Sequence, residues 1–239
     1  MKFIKMLFAT MLVLFLILSG VALGYQQDER DAEAAQEKEE QTYSYAEALE
    51  LLRAGDAAGA ASMLESVIEN DPEYAAAYVN LARAYLEMEN YDQAEETISQ
   101  AIEMDPENAD AYHVQGRIYH TTDRLDDAVN SYQRAVEMNQ DNVYALNNLG
   151  YAYIQMEQYE EAIPVLEEAV EQRDDVHFFY NNLGVAYMKT GQLEEAANAF
   201  QAALDINPDY DRAAQNLSYV QEQLEEVQDA DISERRETE

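Results

Sequence analysis

The chain has 239 residues, no cysteine and no tryptophan, and sets 49 acidic against 14 basic side chains, a formal net charge of −35. Without cysteine there is no disulfide, no thiol nucleophile and no cysteine-based zinc site. A surface this acidic excludes nucleic acid as a partner, since phosphate binding needs a basic surface, and it disfavours anionic lipid headgroups.

The N-terminus carries Lys2 and Lys5, an apolar run from Met6 to Leu18, then Ser19-Gly20-Val21-Ala22-Leu23-Gly24. This is the basic, apolar and small-residue order of a secretory signal, with cleavage after Gly24 or after Ala22. Read as an uncleaved anchor instead, Met6 to Leu23 sits at the short edge of what spans a bilayer. Residues 1–24 are therefore a signal peptide or an N-terminal membrane anchor, and the only part expected to meet a membrane. Both readings put the rest of the chain on the exported, periplasmic or extracytoplasmic side, because positive charge precedes the run and negative charge follows it. Residues 25–40 form an acidic polar linker, either a helical spacer or a disordered tether.

From residue 41 the chain is periodic. Pro72 and Pro106 lie 34 residues apart, and Pro208 lies three such periods beyond Pro106. Counting from 41 gives five units without insertion: 41–74, 75–108, 109–142, 143–176 and 177–210. Each holds two apolar stripes at helical spacing, hence two amphipathic helices. Small residues recur where helices must approach: Ala82, Gly116, Gly150 and Gly184 on first helices, and Ala60, Ala94, Ala128, Ala162 and Ala196 on second helices. Asp71-Pro72, Asp105-Pro106 and Asn207-Pro208 end second helices, because the residue before proline is pushed out of the α region. Gly55 and Gly191 fall in the turn inside a unit, where a positive φ is expected. Pro164 lies near the start of a second helix, where it is expected to bend it only slightly. Arg212 to Val227 continues as one more helix. Its Leu217, Val220 and Leu224 are suited to cover the last apolar face, while Glu222, Glu225 and Glu226 face water, so 211–228 reads as a cap. The acidic tail, 229–239, has almost no apolar residues and is expected to be disordered.

In the fifth unit Tyr180, Leu183, Gly184, Tyr187, Ala196, Phe200 and Pro208 stand at the spacing of the tetratricopeptide repeat. The second unit offers Tyr78, Leu81, Ala82, Tyr85, Ala94, Ile98 and Pro106; the third Tyr112, Gly116, Tyr119, Ala128 and Tyr132; the fourth Leu146, Leu149, Gly150, Tyr153, Ala162 and Leu166. The chain thus resembles the tetratricopeptide repeat family over about residues 41 to 228. It departs from the pattern in lacking tryptophan, in placing Gln140 and Asp174 at the proline position, and in a degenerate first unit with Ser44 and Glu47 at apolar positions. The resemblance implies an all-α, right-handed α-solenoid of helix-turn-helix units with a C-terminal capping helix. It also implies a concave side lined by first helices, with a protein or peptide partner held there.

Under that resemblance the groove positions are Asn80, Arg83 and Leu86 in unit two, and His113, Val114, Arg117 and His120 in unit three. Unit four gives Tyr144, Asn147, Asn148, Tyr151 and Ile154; unit five gives Phe178, Asn181, Asn182, Val185, Met188 and Lys189; the cap adds Arg212, Asn216 and Tyr219. Two patterns emerge. Asparagine recurs at the sixth position of units two, four, five and the cap, interrupted by Val114. An amide both donates and accepts, so such a row either reads a peptide backbone or only steadies the groove. The scarce cations also gather here: Arg53, Arg83, Arg117, Lys189 and Arg212 fall at groove positions, joined by His113 and His120. They either draw in an acidic partner segment or pair with glutamates of the next helix. His113, Arg117 and His120 share a helical face, but an arginine between two histidines repels a cation, so neither a metal nor any other cofactor is expected. No nucleophile, phosphate-loop or dinucleotide motif occurs, so no enzymatic activity is expected. The functional expectation is a non-catalytic interaction scaffold, set by analogy in an envelope or secretion assembly. The rival readings are an accessory subunit that positions a catalytic partner and a self-assembling scaffold.

Overall fold

The structure is a computed structural model that describes residues 44–237, with side chains described through residue 229. The expectations for residues 1–24 and 25–40 lie outside the described residues. The chain divides after Pro72 into two compact units, Met1–Pro72 and Glu73–Glu239. Among the described residues all regular structure is α-helical, and no helix is long and apolar enough to cross a membrane.

The first unit holds α1, described from 44 to 53, and α2, Ala57–Asn70. Asp56 caps α2 by accepting from the Gly59 amide at 2.9 Å, and Ala60, Ala61, Leu64 and Val67 form its buried stripe.

The second unit is a stack of helix pairs: α3 (Ala75–Glu87) with α4 (Tyr91–Met104), α5 (Ala109–Thr121) with α6 (Leu125–Met138), α7 (Val143–Gln155) with α8 (Tyr159–Gln172), and α9 (His177–Lys189) with α10 (Leu193–Ile206). The helix α11, Asp211–Glu237, closes the stack. Each second helix packs against its own first helix and against the first helix that follows. Thus Ala162 and Leu166 of α8 meet Leu183 and Ala186 of α9, and Ala128, Val129 and Tyr132 of α6 meet Leu149 and Ala152 of α7. First helices also touch one another along the stack, α3 with α5, α5 with α7, α7 with α9 and α9 with α11, whereas α4, α6, α8 and α10 do not. One layer is therefore drawn together and the other spread apart, which curves this unit toward its first helices.

The seam within a pair depends on a small residue facing a large one. A β-carbon on Gly116 would lie 2.5 Å from the Tyr132 ring, one on Gly150 2.4 Å from Leu166, and one on Gly184 2.6 Å from the Phe200 ring. All three large side chains are fully buried, so none has room to give.

Every described intra-unit turn closes in the same way. The residue at the fifteenth position of the unit is left-handed and the next amide reaches back five residues: Asn90 to the Tyr85 carbonyl, Arg124 to Tyr119, Gln158 to Tyr153 and Gln192 to Tyr187. Gly55 and Gly191 take φ of 80° and 78° as expected, but Glu89, Asp123 and Glu157 are held at 60°. Second helices end on a turn in which Asp105 accepts from the Glu107 amide, Asn139 from Asp141 and Asn207 from Asp209. The helix α8 is continuous through Pro164.

In α11, Val220 is fully buried against α10, with Leu217 and Leu224 beside it, and Glu222, Glu225 and Glu226 are exposed. The helix continues to Glu237, past the 228 boundary and through most of the segment expected to be disordered. No glycine or proline occurs between 211 and 237 to stop it.

Two substitutions test these constraints. Gly184→Ala would gain about 1 kcal/mol of helix propensity anywhere else. Here overpacking against Phe200 costs about 1–3 kcal/mol, so the urea midpoint is expected to fall. In contrast, Glu157→Gly relieves a left-handed side chain and is expected to raise stability by about 0.5–1 kcal/mol, read from the same unfolding curve.

Candidate protein-binding face

The first helices of the second unit present side chains at matching positions, so the face is best read in rows. The ninth-position row runs Arg83, Arg117, Tyr151, Val185 and Tyr219 across α3, α5, α7, α9 and α11. The twelfth-position row runs Leu86, His120, Ile154 and Met188. Arg83, Arg117, His113, His120, Asn148, Asn182 and Asn216 are half-buried, and Tyr151 and Lys189 are exposed.

Five of the expected groove residues are buried: Leu86 and Val114, at 7 and 0% exposure, and three asparagines. Asn80, Asn147 and Asn181 are buried, at 8, 4 and 6% exposure, and so do not lie open on the groove wall. Asn80 donates to the Ala76 carbonyl one turn back at 2.9 Å. Asn147 and Asn181 hold adjacent repeats together. Asn182 Nδ2 donates to Asn147 Oδ1 at 2.9 Å, and Asn216 Nδ2 donates to Asn181 Oδ1 at 3.2 Å. Asn148 Nδ2 makes the corresponding bond to His113 Nε2 at 3.0 Å. The sixth-position amide of each repeat thus donates to the fifth-position side chain of the repeat before it. Where α3 meets α5 the same positions hold buried Val79 and Val114, and the contact is apolar.

These links spend one N–H of each sixth-position amide. The Oδ1 atoms of Asn148, Asn182 and Asn216 have no partner among the described residues and remain available as acceptors. His120 Nε2 bonds Gln155 Oε1 in the following repeat, and its ring lies 5.5 Å from that of Tyr151. The role of Gln155 escaped sequence reasoning. The Asn-Asn doublets 147–148 and 181–182 in successive units were the one visible sign of the amide links.

The cations divide into two sets. Arg53 pairs with Glu50, Arg124 with Glu95 and Asp127, Arg134 with Glu137, and Arg173 with Asp175. Arg124 also lies over the Tyr119 ring at 4.1 Å and ties α4 to α6 on the outer side. Arg83, Arg117, Lys189 and Arg212 have no carboxylate within ion-pair distance among the described residues. Of the cations expected on the face, only Arg53 is neutralised by a neighbour among the described residues.

Arg83 and Arg117 act on the same neighbourhood. Burial, then the charge of Arg83, holds the Arg117 guanidinium below its ordinary pKa, with Tyr132 and Glu87 opposing. Burial, then the charges of Arg117 and Arg83, pushes the His113 imidazole down to about 4. At neutral pH His113 is therefore uncharged, and its Nε2 lone pair is free to accept from Asn148. Among the described residues no cluster of three His, Asp or Glu side chains is placed to hold a metal ion.

Models described as tetratricopeptide repeat match residues 51–118 and residues 147–211 and 181–230, and one described as TPR repeat matches residues 116–157. Among solved structures, YrrB, a TPR protein with an unusual peptide-binding site, is 25% identical with a TM-score of 0.58, over 70% of this chain and 87% of that one. MamA is 25% identical with a TM-score of 0.59, over 66% and 93%. A thermophilic TPR protein of Thermus thermophilus shares the fold at 18% identity and a TM-score of 0.61, over 75% and 98%. No curated protein matches the chain.

The histidine gives a direct check on this geometry. Its folded pKa lies below the unfolded value of 6.5, so the stability from keeping it neutral is complete above 6.5 and is lost as the pH falls from there to about 4. In an NMR titration the His113 ring protons are expected to move with a midpoint near 4. A midpoint above 6 would mean that the ring is neither buried nor flanked by two unpaired arginines.

Proposed function

Because this chain belongs to the tetratricopeptide repeat family, we propose that it is a non-catalytic scaffold that holds an acidic segment of a protein partner against its first-helix face. The observation that carries this reading is the pair Arg83 and Arg117, half-buried and with no ion-paired carboxylate among the described residues, in a chain with 49 acidic residues. Two like charges beside each other raise the free energy of the empty face, and an incoming carboxylate lowers it. The free Oδ1 atoms of Asn148, Asn182 and Asn216 supply acceptors for backbone amides of an extended segment, one per repeat along the same face. A solved relative, YrrB, is a peptide-binding member of the family, which supports a peptide segment as the ligand. The basic, apolar and small-residue order of residues 1–24 supports a site of action on the exported side of a membrane, in an envelope or secretion assembly.

The test uses a photo-crosslinking side chain placed at Tyr151 on the first-helix face or at exposed Asn130 on α6, in cells that make the full chain. A discrete crosslinked protein is expected from Tyr151 and not from Asn130. Charge reversal by Arg83→Glu with Arg117→Glu is expected to weaken that crosslink about tenfold, roughly 1.4 kcal/mol, with helicity unchanged. Equal crosslinking from both positions, or no effect of the reversal, would overturn the proposal.

A further inference from the structure

The face is not uniform along the stack. At its α3–α5 end the ninth-position row is cationic, Arg83 then Arg117. At its α7–α9–α11 end it is apolar and aromatic: Tyr151 and Tyr219 are exposed at 38 and 53%, and Val185 lies between them. The twelfth-position row, Leu86, His120, Ile154 and Met188, is apolar toward the same end, but it begins with buried, apolar Leu86. The remaining unpaired cations do not blur the contrast in the ninth-position row, since Lys189 and Arg212 stand at a helix C-terminus and a helix N-terminus, on the edges of the face.

Resting on the reading of this face as the partner site, we infer that its ligand is a bipartite protein segment, with acidic residues seated at Arg83 and Arg117 and apolar residues following on Tyr151, Val185 and Tyr219. Charge complementarity fixes the acidic half. Arg124, Arg134 and Arg173 each pair with a carboxylate, whereas Arg83 and Arg117 pair with none among the described residues. Exposed rings fix the apolar half, because Tyr151 and Tyr219 contribute little to the core where they stand and offer flat apolar area with a hydroxyl at the rim. The two halves also have a spacing. Packed helices lie about 8–10 Å apart, and an extended chain advances about 3.3 Å per residue, so one repeat corresponds to about three residues of ligand. The segment therefore begins acid-x-x-acid-x-x-apolar-x-x-apolar as it runs from α3 to α9, with Tyr219 of α11 next in line for apolar residues at its end.

The probe is the labelled peptide Glu-Ser-Ser-Glu-Ser-Ser-Leu-Ser-Ser-Phe, titrated by fluorescence anisotropy into the full chain in nonionic detergent. Two controls carry Lys for both Glu, or Ser for Leu and Phe. Each control is expected to bind at least about tenfold more weakly than the parent. Arg83→Gln with Arg117→Gln is expected to erase the preference for Glu over Lys and keep the preference for Leu and Phe. Tyr151→Ser with Tyr219→Ser, both at exposed positions, is expected to do the reverse. With photoreactive benzoylphenylalanine in place of the Phe, crosslinks are expected in α9 or α11. Crosslinks in α3, a control that binds as well as the parent, or no binding by any of the three peptides would overturn the inference. The proposed function would survive that result if the native partner still crosslinks at Tyr151, and would fall with it only if that crosslink is also missing.

Discussion

The constraint on which the second unit rests is that each second helix must be buried twice, once against its own first helix and once against the next. Gly116, Gly150 and Gly184 make the first burial possible, because a ring or a branched side chain occupies the place where their β-carbons would be. The pair α3–α4 reaches the same end differently, with fully buried Ala82 and Ile98 at the corresponding positions. A smaller partner on one helix tolerates a methyl on the other, so the volume at the seam is conserved while its parts vary. The second burial is then made by the surface of the second helix left over, as where Leu166 meets Leu183. No helix pair here has a closed core of its own, and stability accrues by stacking.

Double burial also decides what is left for function. First helices that touch along one layer turn a third side away from both seams. A side chain there is under a weaker packing demand than one in a seam, and its chemistry varies from repeat to repeat. That is why one row can hold Arg83, Arg117, Tyr151, Val185 and Tyr219 at equivalent places without disturbing the period. The fifth and sixth positions lie at the border of this free surface. One residue turns a helix by about 100°, enough to move the amide of Asn147 into the junction while Asn148 stays half open.

The period, the small residues and the ends of the paired helices were legible in the sequence, because each follows from spacing and side-chain size. Four things were not. The left-handed turns at Glu89, Asp123 and Glu157 carry acidic residues, and a glutamate gives no sign of its φ; only alignment of the turn with Gly55 and Gly191 reveals it. The burial of Asn147 and Asn181 depends on a partner amide one repeat away, so neither residue viewed in its own helix shows it. The extent of α11 was obscured because low hydropathy was taken as a sign of disorder, whereas a segment free of glycine and proline continues a helix already nucleated by its packed first half. Whether a given arginine is paired was beyond the sequence altogether. Arg124 and Arg117 stand seven residues apart, yet one meets Glu95 across a helix junction and the other meets none.

That last distinction gives the strong net charge a consequence beyond solubility. With a screening length of about 8 Å at physiological salt, the exposed acids of the second helices repel an acidic chain over most of the surface at close range. At Arg83 and Arg117 two cations stand without an ion-paired carboxylate among the described residues, and their charges add to the burial that keeps His113 neutral. Among the residues whose side chains are described, the cations without an ion pair, Arg83, Arg117, Lys189 and Arg212, all stand on or at the edges of the first-helix face. Discrimination comes as much from the surroundings as from the site, since the acidic shell penalises every other register on which such a segment would otherwise rest. It also explains how two arginines suffice where the chain as a whole is so negative. A ligand responds mainly to the charges within a Debye length of its carboxylates, so two neighbouring unneutralised arginines bear on it more than distant acids do.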